Sequence, residues 1–342
     1  MDMIMKKMEL HKSVFKKEIN KKLLCVNVSA APLPYTPYQA ANDPQKAIDN
    51  AIILNENSRK VESDKIPIVE NDFVMDLLPS IFGGKVYEAP GGRTDVKAIF
   101  NNIYETENIN ITDIYVGEME KAMTHLTYLK KNAPDYFYVS PSRPLSALDC
   151  AVVLCGGEFY TELYSEPELA ISFMKKINDV AIKIVKELKK IVNQPLDECA
   201  TLRGYIFNGI RITGDAVVNL SPAMIKEFMC PLYKKFEDEF SSVMLHYCCT
   251  PAPSAHVMPA LKEGGGINWV DSWQGYKTLL KEEDYLRTDM GICTDIDKNL
   301  ILSGDILKDE FFTIDRPLVS STNCETVDEG KAVYEKWCEY FG

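Results

Sequence analysis

His246 and Cys248 stand two positions apart in this chain, and their side chains are the ones best suited to hold a metal ion. They lie in the run 242–248, whose Val, Met, Leu and Tyr residues are typical of a strand. Because successive side chains of a strand point to opposite faces, residues i and i+2 share one face. Imidazole nitrogen and thiolate sulfur are both good zinc ligands. The spacing therefore predicts a zinc site on one face of the strand, with Tyr247 and Cys249 on the other.

Cys324 is the predicted third ligand, because it directly follows the run 317–323, which is predicted to be the last strand. Three protein ligands leave a fourth position for a substrate, an arrangement typical of catalytic zinc. The pair His246 and Cys248 also has a simpler interpretation, a buried cysteine beside a hydrogen-bonded histidine. Since the chain has ten cysteines and four histidines, such a pair also arises by chance. The zinc interpretation therefore depends on the rest of the sequence.

The elements that position these residues alternate between short apolar runs and helices. The predicted strands are 65–70, 135–140, 209–215, 242–248, 266–272, 286–292, 299–305 and 317–323, and the clearest helices are 166–193, 222–240 and 327–340. Such alternation predicts parallel strands joined by helical crossovers. About eight such units favour a single TIM (β/α)8 barrel over residues 61–342, preceded by an N-terminal helical extension over 1–60. An open, doubly wound sheet is the alternative.

Polar residues recur at the carboxyl ends of the predicted strands, where parallel α/β folds carry their chemistry. The residues at these ends are Glu70, Asp72, Ser140, Ser142, Asp215, His246, Cys248, Asp271, Asp305 and Cys324. Asp215 is the candidate catalytic residue, predicted to orient a ligand or a substrate. Its other interpretation is a carboxylate that caps the end of a strand or a helix.

Composition excludes several classes of function. The net charge of −12 is the opposite of the basic surface that a nucleic-acid-binding protein needs. No apolar run approaches the roughly 18 residues that cross a membrane, and charged residues interrupt the N-terminus, so no signal peptide is predicted. We therefore expect a cytoplasmic protein whose cysteines are thiols or metal ligands.

Two segments outside the motif resemble the uroporphyrinogen decarboxylase superfamily. The segment 148–174 looks like that family's helix, glycine-containing turn and proline-opened helix, and 214–236 resembles its Asp-containing strand end and Ser-Pro-capped helix. His246-Tyr247-Cys248 and Cys324 fall where the zinc-dependent corrinoid methyltransferase branch carries its His-x-Cys motif and distal cysteine. The resemblance covers residues 60–342, with one departure: Cys249 stands where the family usually has glycine.

The resemblance implies a zinc-dependent methyltransferase, similar to those that act on methylcobamide and coenzyme M. Such an enzyme moves a methyl group between a cobamide, carried by a corrinoid protein, and a thiol or related small-molecule acceptor. A decarboxylase of the same superfamily is the first alternative, and a non-catalytic barrel that binds corrinoid or metal is the second. Decarboxylases of this family bind a carboxylate-rich tetrapyrrole through an arginine-bearing N-terminal segment, whereas residues 1–58 contain no arginine.

Overall fold

The computed structural model describes residues 2–201, 203–248, 255–272 and 289–342 and shows a mixed α/β protein. Its strands are β1 (Lys22–Val28), β2 (Ile68–Glu70), β3 (Lys85–Ala89), β4 (Arg93–Lys97), β5 (Tyr138–Ser140), β6 (Cys199–Ala200), β7 (Ile206–Phe207), β8 (Ile210–Thr213), β9 (Val243–His246), β10 (Trp269–Ser272), β11 (Gly291–Asp295) and β12 (Leu318–Cys324). Six of them form one parallel sheet in the order β1-β12-β11-β10-β9-β8.

The remaining strands of the described residues form three separate pairs. β2 and β5 are parallel, while β3 with β4 and β6 with β7 are antiparallel. A single parallel bridge between Leu145 and Thr213 extends the large sheet beyond β8. The parallel strands therefore occur as a group of six and a group of two.

Helices alternate with the strands of the sheet. They are α1 (Asp2–Phe15), α2 (Pro37–Asn42), α3 (Pro44–Glu56), α4 (Leu77–Ile81), α5 (Met119–Asn132), α6 (Ala147–Cys155), α7 (Phe159–Ser165), α8 (Pro167–Val192), α9 (Pro222–Met224), α10 (Cys230–Phe240), α11 (Val257–Gly264), α12 (Lys298–Ser303), α13 (Glu310–Thr313) and α14 (Val327–Phe341). A π-helical turn, Ile225–Met229, joins α9 to α10. Among the described residues, no helix combines the length and apolar character that crossing a membrane requires.

The helix boundaries follow signals in the sequence. α8 has a proline at its first turn and ends at Asn193 in the left-handed conformation, which suits a helix C-terminus. The Ser221 side chain accepts a hydrogen bond from the Met224 N–H at the start of α9, and Thr326 does the same for the Glu329 N–H at the start of α14. The three helices predicted most clearly are therefore all present.

Six of the predicted strands contain an observed strand, but the strand predicted over 299–305 is wrong. This segment forms α12, because the Asp297 side chain caps its first turn and Gly304 ends it with φ at +76°. Ile301 is the one buried residue of this helix. A short amphipathic helix buries only one face, whereas an inner strand would bury most of its residues. The strand predicted over 286–292 lies partly outside the described residues, at 286–288, and β11 begins only at Gly291.

The segment 1–60 contains the expected helices, but it also contains β1. This strand pairs along its whole length with β12, from Lys22 beside Leu318 to Val28 beside Cys324. The backbone N–H groups of Leu24 and Val26 donate to the side chains of Asp64 and Ser63 instead of to a further strand. β1 is therefore a member of the central sheet, and the segment is more than a helical extension.

Tyr205 links β1 to β12, and its replacement tests this arrangement. Its hydroxyl is buried, accepts the Cys25 N–H at 2.8 Å and donates to the Ser320 carbonyl. We expect Tyr205→Phe to lower the free energy of unfolding by about 1–3 kcal/mol, because a buried N–H and a carbonyl lose their partner. Urea unfolding measures this loss. As a control, Tyr128→Phe removes a more exposed hydroxyl bonded to Gln45, and its cost should stay below about 0.5 kcal/mol. Equal losses for both variants would contradict the role of Tyr205.

Candidate metal centre

Asp215, His246 and Cys248 meet at the carboxyl ends of β8 and β9. One potential ligand atom from each residue lies within 4.8 Å of the other two, and they are the one such group of three among the described residues. The Cys248 Sγ lies 3.2 Å from the His246 Nε2. The convergence expected from the alternation of side chains along a strand is therefore observed, and Asp215 joins the pair.

The pairing of β8 with β9 explains why Asp215 joins them. Thr213 lies beside His246 in the sheet, and the Gly214 N–H donates to the His246 carbonyl at 2.8 Å. Asp215, the next residue of the chain, therefore lies beside the residues that follow β9. The Asp215 Oδ1 accepts the Cys248 N–H at 2.6 Å, so the aspartate also fixes the backbone at the cysteine.

Asp149 supports the turn that carries Asp215. This carboxylate on α6 accepts the Ala216 N–H at 3.1 Å and the Ser146 hydroxyl at 2.5 Å. Burial raises the pKa of Asp149 to about 7, although these hydrogen bonds oppose the change. Asp149 was not predicted, because a single aspartate near the start of a helix is indistinguishable from a residue that only stabilises the helix.

Asp271 lies behind His246 and was predicted only as one of several residues at strand ends. Its Oδ2 is 3.1 Å from the His246 Nδ1, the ring nitrogen that does not face Cys248. The chain's other three histidines each contact a backbone carbonyl, namely His11 with Asp64, His125 with Ala40 and His256 with Leu220. His246 is therefore the one histidine placed between a carboxylate and a thiol.

Two buried arginines hold Asp271. The Arg211 Nε and Nη2 lie 2.8 and 2.7 Å from its Oδ2, and the Arg203 Nε lies 2.8 Å from its Oδ1. Burial alone would raise the pKa of Asp271, but the two guanidinium groups and His246 outweigh it and hold this pKa well below its ordinary value. Asp271 is thus a fixed negative charge beneath the histidine.

Burial and the charge of Arg211 lower the pKa of His246 below its usual 6.5, and the hydrogen bond to Asp271 opposes them only in part. The imidazole is consequently neutral at physiological pH, which is the form that binds metals. Zinc ligands at about 2.0–2.3 Å in tetrahedral geometry lie about 3.5 Å apart, so the 3.2 Å between nitrogen and sulfur would have to widen slightly around such an ion. A carboxylate behind the ligating histidine is also what zinc sites commonly have.

Cys324 is not part of this group. It lies at the end of β12, three places along the sheet from β9, and the charged groups that act on its thiol are Glu329, Lys298 and Glu325. Burial raises the pKa of Cys324 to about 11. The structure therefore brings His246 and Cys248 together with Asp215 and leaves Cys324 apart, so its role as a ligand stays a prediction. Cys249 lies outside the described residues.

Most of the other residues predicted at strand ends form hydrogen bonds or ion pairs away from the metal group. Glu70 forms a buried pair with Arg143, at 2.6 and 2.9 Å from its Nη1. Ser142 contacts Asn71 and donates no bond to the metal group. Asp305 follows a helix instead of a strand and pairs with Lys308 at the surface. Asp271 alone among them contacts the candidate centre.

Known proteins include one with a similar fold, but none that shows the family of this chain. No protein-family model matches the sequence, and no curated protein matches it. The structure is similar to that of a methyltransferase from Methanosarcina mazei, with a TM-score of 0.66 over 98% of each chain and 12% sequence identity. This chain therefore shares its fold with a methyltransferase along almost its entire length.

The His246 titration tests the electrostatics of the site. In zinc-free protein we expect the His246 ring to titrate below pH 6.5, because protonation would bury a second positive charge beside Arg211. The unfolded chain then takes up this proton first, so the contribution of His246 to stability is lost as the pH falls below 6.5. Histidine NMR signals followed against pH give the midpoint, and His246→Gln identifies the resonance. A midpoint above 6.5 would contradict the expectation.

Proposed function

We propose that this chain is a zinc-dependent methyltransferase that moves a methyl group between a cobamide on a corrinoid protein and a thiol or related acceptor. The observation that carries the proposal is the His246–Cys248–Asp215 group at the strand ends, in a fold shared with a methyltransferase. The resemblance of 148–174 and 214–236 to the corrinoid branch supports the choice of co-substrate.

We also infer that the strands form a closed (β/α)8 barrel. The large sheet ends at β1 and β8, and the β2–β5 pair together with the Leu145–Thr213 bridge supplies the strands that would span this gap. In such a barrel the ends of all eight strands would surround one mouth, where substrates bind. A mouth of this kind would accommodate a large corrinoid on the same side as the metal group.

The residues of this chain have distinct tasks in the proposed reaction. His246 and Cys248 would hold zinc, Asp271 would orient the imidazole, and Asp215 would hold the backbone at Cys248. Zinc bound there would supply a Lewis acid that converts an acceptor thiol to its nucleophilic thiolate near neutral pH. His246, neutral because its pKa is lowered, stays available as a ligand under these conditions.

A decarboxylase is the weaker alternative, and the buried arginines argue against it. Arg143 is paired with Glu70, while Arg203 and Arg211 are paired with Asp271. A carboxylate-rich tetrapyrrole needs guanidinium groups that are available to its own carboxylates. In this interior those three groups already bind carboxylates of the protein.

Zinc content tests the centre. We expect about one zinc per chain, lost in His246→Ala and in Cys248→Ala, because each removes a donor from the converging pair. Elemental analysis after dialysis measures the stoichiometry. Cys338→Ser is the matched control, since it replaces an exposed cysteine on α14. Wild-type protein that binds no zinc after careful loading would contradict the proposed site.

The third ligand is tested by three further variants. We expect Cys324→Ser to weaken zinc binding, as the resemblance to the methyltransferase branch implies, and Cys249→Ser to leave it nearly unchanged. Chelator competition measures both affinities, alongside Asp215→Asn. Full zinc affinity in Cys324→Ser combined with loss in Asp215→Asn would exclude Cys324 and make Asp215 the third ligand.

Methyl transfer is tested directly. We expect the zinc-loaded enzyme to demethylate methylcobalamin in the presence of a suitable thiol, and Cys248→Ala to abolish the reaction while Cys338→Ser retains it. The absorbance change of the corrinoid follows turnover against a panel of thiols, amines and folates. Decarboxylation of a carboxylated substrate, with no demethylation in any mixture, would reverse the order of the two candidate functions.

A further inference from the structure

We propose that Arg203 is a positioning residue of this centre: it holds Asp271 so that the carboxylate binds the Nδ1–H of His246 and leaves Nε2 free of hydrogen toward Cys248. The inference deepens the proposed function, and its part concerning metal affinity rests on that function. Its part concerning the tautomer of His246 does not, since this can be measured without metal.

Arg203 binds the ends of three neighbouring strands at once. Its Nε contacts the Asp271 Oδ1 and its Nη2 donates to the Ser272 carbonyl at 2.7 Å, both on β10. Its Nη1 contacts Asp295 on β11 and Ser321 on β12. The side chain is only 5% exposed, so a single guanidinium group fixes the positions of these strand ends relative to one another.

The two oxygens of Asp271 are used by different partners. Arg203 takes Oδ1, whereas Arg211 and His246 share Oδ2. Arg211 reaches Asp271 from β8 and contacts the same oxygen as the histidine. Arg203 is therefore the group that sets the rotation of the carboxylate and determines which oxygen faces the imidazole.

The tautomer follows from this arrangement. A neutral imidazole carries one hydrogen, and a carboxylate that accepts bonds from two guanidinium groups has none to donate. The hydrogen of His246 is therefore placed on Nδ1, toward Asp271. The lone pair of Nε2 is left facing the Cys248 Sγ, on the side where a metal would bind.

The backbone that carries Arg203 is held in place. Arg203 lies in the tight turn between β6 and β7, where the Gly204 N–H donates to Thr201 and the Gly204 carbonyl accepts the Ile66 N–H, both at 2.9 Å. Gly204 has φ at +95°, and a Cβ there would come within 2.6 Å of the Lys65 Cγ. The turn therefore presents the arginine from one fixed position beside β2.

Arg143 provides a matched control for the loss of any buried arginine. It is as buried as Arg203, at 5% exposed, and it also pairs with a carboxylate, Glu70. No described contact links it to Asp271 or His246. An effect that arises only from disrupting a buried ion pair would appear equally in variants of Arg143 and Arg203.

Histidine NMR on the full-length, zinc-free protein tests the tautomer. In 15N-histidine-labelled wild type we expect the long-range correlation pattern of an Nδ1–H imidazole for His246. Arg203→Met should convert it to a mixture or to the Nε2–H form, whereas Arg143→Met should keep the wild-type pattern. A wild type already in the Nε2–H form, or no change in Arg203→Met, would overturn the proposal.

Metal affinity is the second readout. By chelator competition with zinc alone, we expect Arg203→Met to bind about 10- to 100-fold more weakly than wild type, the usual cost of losing support behind a ligand. Arg143→Met should remain within about 2-fold. If Arg203→Met does not fold, Arg203→Lys replaces it, because an ammonium has three donors on one nitrogen whereas the guanidinium group contacts four acceptors. Unchanged affinity in that variant overturns the proposal. Wild type without zinc affinity would refute the proposed function but leave the tautomer test valid.

Discussion

The carboxylate of Asp271, buried between two guanidinium groups and an imidazole, is the interaction on which the candidate centre depends. A lone buried carboxylate is unstable as an anion, so its charge must be matched by positive partners with good geometry. Arg203 and Arg211 supply them from a turn and from β8. The same contacts tie β8, β10, β11 and β12 together, so the electrostatics of the site and the alignment of the strand ends have one origin.

In this arrangement some residues supply the donor atoms and others hold them in position, a distinction that a sequence motif does not show. His246 and Cys248 supply donor atoms, but their positions are set by residues far away in the chain. Asp215 holds the backbone beside the cysteine, and Asp271 holds the ring of the histidine. A site whose donors are fixed from behind loses little entropy when it binds an ion, which is how preorganised metal centres gain affinity.

Local patterns in the sequence predicted that His246 and Cys248 lie together, and they predicted most of the parallel strands, because both depend on neighbours within a few residues. His246 ends β9, however, and the backbone at Cys248 just beyond it is held by Asp215, a contact that strand geometry does not predict. The arginine network was not predictable, since an arginine in an apolar run gives no indication of which distant carboxylate it binds. β1 was missed for a similar reason: its continuous apolar run does not alternate, and its partner β12 lies near the other end of the chain. The helix α12 was not predicted because its apolar run, 300–302, is equally typical of a strand.

The pairing of β1 with β12 also has a consequence for how the chain is synthesised. β1 leaves the ribosome well before its neighbour in the sheet, because residues 29–317 are made between them. Contacts between such distant parts of a chain form slowly, and an unpaired strand is prone to associate with other chains in the meantime. On the other edge of β1, the backbone N–H groups of Leu24 and Val26 donate to the side chains of Asp64 and Ser63, which are much nearer in sequence. Those acceptors cover the edge of β1 that faces away from β12, and the edge that pairs with β12 is completed only when that strand emerges.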